Sequence, residues 1–448
     1  SLRRQRQMCI RDRLVYDKQI ATDVSAFYYD REIAGMFFLI VDVVAGEDPA
    51  SVEKAMDEVM ESFIKKGPNR KLLQAEKTKA LAGFIRGIQR IGGFGGKSDL
   101  LATCQTYTGN PGCYRENARY LDEVTPAKMK ATFAKWIDDT PYVLTILPNE
   151  KLGVNDTGID RSSGVPYPTE KVSFKFPTLQ TATLSNGAKV VLAQRTGVPL
   201  VELNFQFSFG YAQENNNELG FTNFMMDMLN EGTKKYSSLQ FDEVLDSLGS
   251  NLGFGSGLDT SYATVSSLKT NLEETLDLAR EALIHPTFPQ KEIDRIKKQT
   301  LASIVQEENR PAAIAYRNIG KLLYGDNHPY GKPLTGSGIS ATISDITRED
   351  VIAVHKRAIN PANLTFAVAG DINLDELVEM LEVKFGNWSG DSNPDLKILS
   401  NVALPATRTV YLIDKPNAQQ SYIVAGQLLP PSATDEAVSY THLRAHET

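Results

Sequence analysis

The chain has 448 residues, 42% of them hydrophobic and 23% charged, with a net charge of −7 at neutral pH. That length supports two or three domains with sizeable cores, and the acidic balance argues against nucleic acid or an anionic membrane as partner. No apolar run approaches the roughly 20 residues of a membrane-spanning helix.

Residues 1–13 carry five Arg and one Asp with neither helical nor strand period, and residues 438–448 break off abruptly from an apolar stretch. Both read as a non-native lead and tail and are set aside, the alternative being a natural basic extension. What is left reads as an internal fragment, still more acidic, with a lean toward basic peptides. Cys104 and Cys113 then form a pair nine residues apart, either a disulfide in an oxidising compartment or two inert thiols.

Residues 24–29 and 35–44 are β-branched and aromatic runs, as in an antiparallel pair. Asp48-Pro49-Ala50 opens a helix to Lys66 with Val52, Met56, Val59, Met60 and Phe63 on one face. A second helix spans 69–90, its apolar face set by Leu72, Leu73, Leu81, Phe84 and Ile88. The glycine cluster at 92–96 follows a helix and lacks G-x-x-x-x-G-K-[ST], so it reads as a kinked helix–helix connection and not a phosphate loop. A helix at 127–137 and a strand at 142–147 complete this part. Residues 148–180, rich in Pro, Gly, Ser and Asp, read as an interlobe linker.

A new unit starts at Thr181 with Asn186-Gly187 between two apolar stretches, a strong hairpin signal. Residues 201–209 alternate Val201, Leu203, Phe205, Phe207 and Phe209 against polar neighbours, a half-buried strand. Next comes Leu219-Gly220-Phe221-Thr222-Asn223-Phe224-Met225-Met226-Asp227-Met228-Leu229-Asn230-Glu231-Gly232-Thr233. Phe221, Phe224, Met225, Met228 and Leu229 mark the buried face of a short helix that Gly232 is expected to stop. Helices are expected at 239–248, 272–283, 291–309 and 347–357, and strands at 251–255, 260–267 and 364–370. A Pro/Ser/Asp-rich linker follows Trp388, and residues 409–414 and 420–428 read as opening strands of a further domain.

The order of these elements, with His285-Pro286-Thr287-Phe288-Pro289, His328-Pro329-Tyr330-Gly331 and Ala367-Val368-Ala369-Gly370-Asp371 in place, resembles the insulinase/pitrilysin family of zinc metallopeptidases over residues 14–437. The resemblance implies an α+β, mitochondrial-processing-peptidase-like fold, antiparallel sheets flanked by helices in repeated domains, and a bacterial source. It divides the chain into the C-terminal domain of a first lobe (14–150), a linker (151–180), a degenerate peptidase-like domain of a second lobe (181–390) and the start of a further domain (405–437).

That family's metal helix carries H-x-x-E-H after a glycine. Here the first His falls on Asn223, the Glu on Met226 and the second His on Asp227. Counting back from Glu308-Asn309-Arg310-Pro311 puts the third ligand, a Glu in the family, at Ser303; Glu307 and Glu308 lie about one turn too late. An amide and a carboxylate do not replace two imidazoles for zinc, and Met226 cannot act as a general base. The expectation is that this lobe has no catalytic residues and binds no zinc, while the parent protein does. His285 and His328 read as turn residues, His355 as a solvated or capping residue, and Ser256 lacks a paired base.

Two readings follow from the resemblance. In one, the parent is a zinc metalloendopeptidase whose H-x-x-E-H lies in an upstream lobe, and this lobe helps enclose peptides bound in extended form. In the other, the whole chain is non-catalytic and serves as a peptide-binding or assembly subunit for an active homologous partner. A scaffold without a peptide role is the unrelated third. A periplasmic or other extracytoplasmic location is the expectation for compartment.

Overall fold

The computed structural model describes residues 12–29, 35–44, 46–137, 141–146, 177–390, 409–416, 418 and 421–428. The fold is α+β. Its leading part opens with β1 (Ala21–Tyr29) and β2 (Met36–Val43), paired antiparallel with Phe27 opposite Phe38. Helices α1 (Pro49–Lys66), α2 (Arg70–Gly87), α3 (Lys97–Thr108), α4 (Tyr114–Glu123) and α5 (Pro126–Trp136) follow. Asp48 accepts the Ala50 N–H and Pro49 sits where its missing N–H costs nothing, so α1 starts where the sequence signals it. Phe63 of α1 and Phe133 of α5 meet at 4.8 Å in a small core with Leu73 and Met129.

The second part is a six-stranded sheet in the order β3-β4-β8-β5-β7-β6. Its strands are β3 (Gln180–Thr183), β4 (Lys189–Gln194), β5 (Leu200–Phe207), β6 (Asn251–Ser256), β7 (Ser261–Leu268) and β8 (Leu364–Gly370). One pair, β4–β8, is parallel, because a long helical crossover separates the two strands; the others are antiparallel. The helices are α6 (Phe221–Asp227), α7 (Ser238–Ser247), α8 (Leu272–Ile284), α9 (Gln290–Asn309), α10 (Pro311–Tyr324), α11 (Ser340–Asp345), α12 (Arg348–Ala358) and α13 (Leu374–Phe385). One sheet face and the apolar stripes of these helices form the main core, with Phe205, Phe366 and Phe385 in mutual contact at 5.0–5.7 Å. The alternation read over 201–209 produces that face: Val201, Leu203, Phe205 and Phe207 are all buried.

The two parts are joined through α2. Ala82 packs with Leu200 and Leu268, Lys79 pairs with Asp246, and Arg86 donates to the carbonyls of Gly249 and Ser266 at 2.7 and 2.9 Å. This docking explains one departure from the sequence reading. α2 buries Leu73, Ala75 and Ala82, whereas Leu81 and Phe84 face outward, since the stripe it uses is the one that fits a neighbour.

Other expectations also change. The helix at 221 ends at Asp227, not at Gly232, because Glu231 turns inward to Arg295 and Gly232 and Thr233 form bridges to Ser237 and Pro286. Residues 142–146 and, among the described residues, 409–416 and 421–428 carry no strand pairing; β propensity without a neighbouring strand does not make a sheet. Helices α3, α4, α10, α11 and α13 add to the elements expected from sequence; α3 and α4 have little buried surface to impose a period. Cys104 and Cys113 are bridged and staple the α3–α4 turn. His355 points inward against Phe288 and lies 2.9 Å from the Leu283 carbonyl, so it is not a solvated residue. The linker at 148–180 falls outside the described residues up to 176.

Candidate functional site: a metal seat without imidazoles

The site is built around α6, whose buried side is Phe221, Phe224, Met225 and Met226. This helix packs against α12 and β6 and touches α9, so the element bearing Asn223, Met226 and Asp227 lies beside the one bearing Ser303. Ser303 is exposed on α9.

A buried carboxylate holds the front of α6. Glu214 accepts the N–H groups of Gly220 at 2.9 Å and Thr222 at 2.7 Å, satisfying donors that a helix start leaves open. Burial pushes its carboxyl up to about 7, against the opposing pull of those two N–H bonds and of the Lys332 charge. Lys332, itself buried, donates to the Glu214 main-chain carbonyl. A buried Glu in a polar loop has no periodic signature, which is why neither residue stands out in the sequence.

Asn223, the residue expected from sequence in the first ligand's place, is held at both of its polar atoms. Its Nδ2 donates to the Gly336 carbonyl at 3.0 Å, and its Oδ1 accepts the Ser256 N–H at 3.1 Å. The amide thereby ties α6 to the end of β6 and to the loop before α11. Gly336 fits this arrangement: its φ is +72°, and a Cβ there would fall 2.3 Å from Asn223 Nδ2 and 3.0 Å from the Tyr211 ring. Gly336→Ala is expected to cost about 2–3 kcal/mol from the strained φ and the clash. In an Asn223→Ala background, where the clash with Nδ2 is gone and only the strained φ and the Tyr211 ring contact remain, the same change should cost about 1 kcal/mol less. Urea unfolding of the four proteins at constant m-value checks this; strict additivity would refute the contact.

Met226 is wholly inside the core and offers nothing to a proton or a metal. Asp227 is different. Its side chain reaches solvent, yet protein surrounds it on its other sides. That surrounding protein, and secondarily the Glu231 charge, raise its carboxyl to about 6. Glu231 pairs with Arg295 at 2.5 Å and accepts from Ser238 Oγ at 2.7 Å. Glu307, one turn beyond Ser303, is committed to Arg317 and Ser337, both at 2.7 Å.

These residues do not fit zinc. Both polar atoms of Asn223 are spent on backbone partners, Met226 is a core side chain, and Asp227 is a single hard donor. Among the described residues no group of three or more His, Cys, Asp or Glu is arranged to hold a metal. No helix among them is long and apolar enough to cross a membrane.

Comparison with known proteins bears on the same region. Residues 189–337 match the sequence profile of Insulinase (Peptidase family M16), and residues 345–443 match that of the Peptidase M16 inactive domain. An uncharacterized zinc protease of Rickettsia felis is 26% identical over 204 residues, 46% of this chain and 49% of that protein. A non-peptidase homolog of Helicobacter pylori, YmxG, is 24% identical over 212 residues, 46% of this chain and 48% of that protein. The crystal structure of a peptidase M16 inactive domain from Pseudomonas fluorescens is 28% identical and covers 51% of this chain and 54% of that one, with a TM-score of 0.47. The chain spans about half the length of these curated relatives. The two matches together span more than half of the chain, and it belongs to the insulinase/pitrilysin-type M16 family.

Proposed function

We propose that this chain is a substrate-enclosing, non-catalytic portion of a zinc metalloendopeptidase, with the active H-x-x-E-H in another lobe of the same polypeptide. Its part is to hold peptides in extended form along β6. The observation that carries this reading is positional. β6 ends the sheet order, so one of its edges pairs with no strand among the described residues, and that strand packs against α6. An unpaired edge strand is a template for strand addition. The donor set on α6 is wrong for zinc, which separates holding from cutting.

The second reading is a wholly non-catalytic subunit that binds peptides for an active homologous partner. Similarity to a protein named as a non-peptidase homolog favours keeping it. An extracytoplasmic location belongs to the same proposal, supported by the paired Cys104 and Cys113.

The test is fluorescence anisotropy with a capped, labelled octapeptide of alternating Thr and Val and its analogue N-methylated at every second residue. Binding by the first, weakened at least tenfold in the second, is the expected result, because strand addition needs those N–H groups. Equal binding would rule out strand addition, and no binding would refute the holding role. Cleavage of a quenched peptide that a chelator abolishes would overturn the non-catalytic assignment.

A further inference from the structure

We infer that the glycine loop joining α2 to α3 is a peripheral membrane anchor. Ile91 and Phe94 insert into a bilayer surface, and Arg90 and Lys97 meet its anionic headgroups. The inference stands apart from the peptide-holding role.

The loop has a closed base and an apolar tip. The Arg90 carbonyl accepts the Lys97 N–H at 2.9 Å, and the Ile91 carbonyl accepts both the N–H and the hydroxyl of Ser98 at 2.9 Å. The Asp99 carboxylate accepts the Gly95 N–H at 2.8 Å. Gly93 and Gly95 take φ of +77° and +75°, which glycine adopts without strain. What projects from this base is Ile91, 79% exposed, and Phe94, 94% exposed. Neither joins a hydrophobic cluster among the described residues. A held backbone that presents two large apolar side chains to solvent marks a contact surface.

The shape of the tip and the charge around it select a bilayer as the occupant. A stable protein interface takes about 800 Å² from each partner, with matching shape. This tip has two apolar side chains set among four glycines, which add almost no area. A bilayer asks for no shape match, and a short apolar tip reaches its headgroup–acyl boundary, about 5–10 Å deep. The hydrogen bonds at the base suit that depth, because they leave fewer backbone groups to be stripped of water. Residues 77–98 carry five Lys and Arg and no Asp or Glu, although the chain as a whole is acidic. Three of the five are used inside the protein: Lys77 on the Asp122 carbonyl, Lys79 on Asp246, and Arg86 on the Gly249 and Ser266 carbonyls. Arg90 and Lys97, which flank the tip, are exposed and form no ion pair among the described residues. Asp99, the next acid in the chain, is spent on the Gly95 N–H. The local field at the tip is therefore positive, whatever the net charge.

The experiment is co-sedimentation of the full chain with vesicles of phosphatidylcholine, alone or with added phosphatidylglycerol. The variants are Ile91→Ser with Phe94→Ser, Arg90→Gln with Lys97→Gln, and Trp136→Ser as an exposed aromatic elsewhere, each checked for an unchanged melting temperature. A Lys or Arg at an anionic surface tightens binding about fivefold, so the wild type should favour the phosphatidylglycerol vesicles by about tenfold or more. The Arg90/Lys97 variant should lose that preference. The Ile91/Phe94 variant should lose about tenfold or more on both kinds of vesicle, and Trp136→Ser should match the wild type. No binding by the wild type would overturn the inference and leave a protein as the occupant of the tip. Binding unchanged in the Ile91/Phe94 variant, or an equal loss in Trp136→Ser, would also overturn it.

Discussion

Replacing Arg295 with Met is expected to destabilise the protein by about 3–5 kcal/mol. Arg295 is buried on α9 and stands between Glu231 at 2.5 Å and Glu292 at 2.6 Å, with Gln299 at 3.1 Å and its guanidinium over the Tyr16 ring at 4.8 Å. The loss comes chiefly from what is left behind. Glu231 is itself buried, and without Arg295 its carboxylate keeps, among the described residues, the Ser238 hydroxyl alone. Arg295→Met combined with Glu231→Gln should recover part of the loss, since the more deeply buried of the two carboxylates is then neutral and only the partly buried Glu292 is left without its cation. A double-mutant cycle by urea unfolding measures this coupling. A single-variant cost below 1 kcal/mol, or simple additivity, would refute the account. The pair also explains why α6 stops early. Glu231 cannot both extend the helix outward and reach Arg295.

Glu214→Ala is expected to cost about 2–4 kcal/mol, because it removes the side-chain acceptor of two N–H groups at the start of α6, those of Gly220 and Thr222. The same residue gives the protein a pH signature whose sign is determined. The Glu214 carboxyl titrates near 7 in the fold, against 4.5 ordinarily. Between those values the folded state holds more protons than the unfolded one, so stability falls as pH rises through that window. Asp227, raised from 3.8 to about 6, adds a slope of the same sign at lower pH. Glu214→Gln should flatten the upper part of the slope. Urea midpoints between pH 5 and 8 for the two proteins give the answer; parallel curves would mean that Glu214 does not titrate there.

Much of the architecture could be read from local pattern. Asn186-Gly187 marked the β3–β4 hairpin, the alternation over 201–207 marked β5, and Asp48-Pro49 marked where α1 begins. Each is a signal confined to a few neighbouring residues, written by backbone geometry and by one buried face. The register that put Asn223, Met226 and Asp227 on one short helix is of the same kind, as is the donor chemistry that keeps these side chains from forming a zinc set.

What only the tertiary structure decided depends on residues far apart in the chain. That Asn223 is locked to Ser256 and Gly336, and that Glu214 caps α6 beside Lys332, follows from loops brought together by the sheet. Buried charge leaves no period in a sequence, because one carboxylate facing one distant amine repeats nowhere. The outward turn of Leu81 and Phe84, and the absence of strand pairing at 421–428, have the same origin: apolar and β-branched residues state a capacity, and the neighbour that is present determines how it is used.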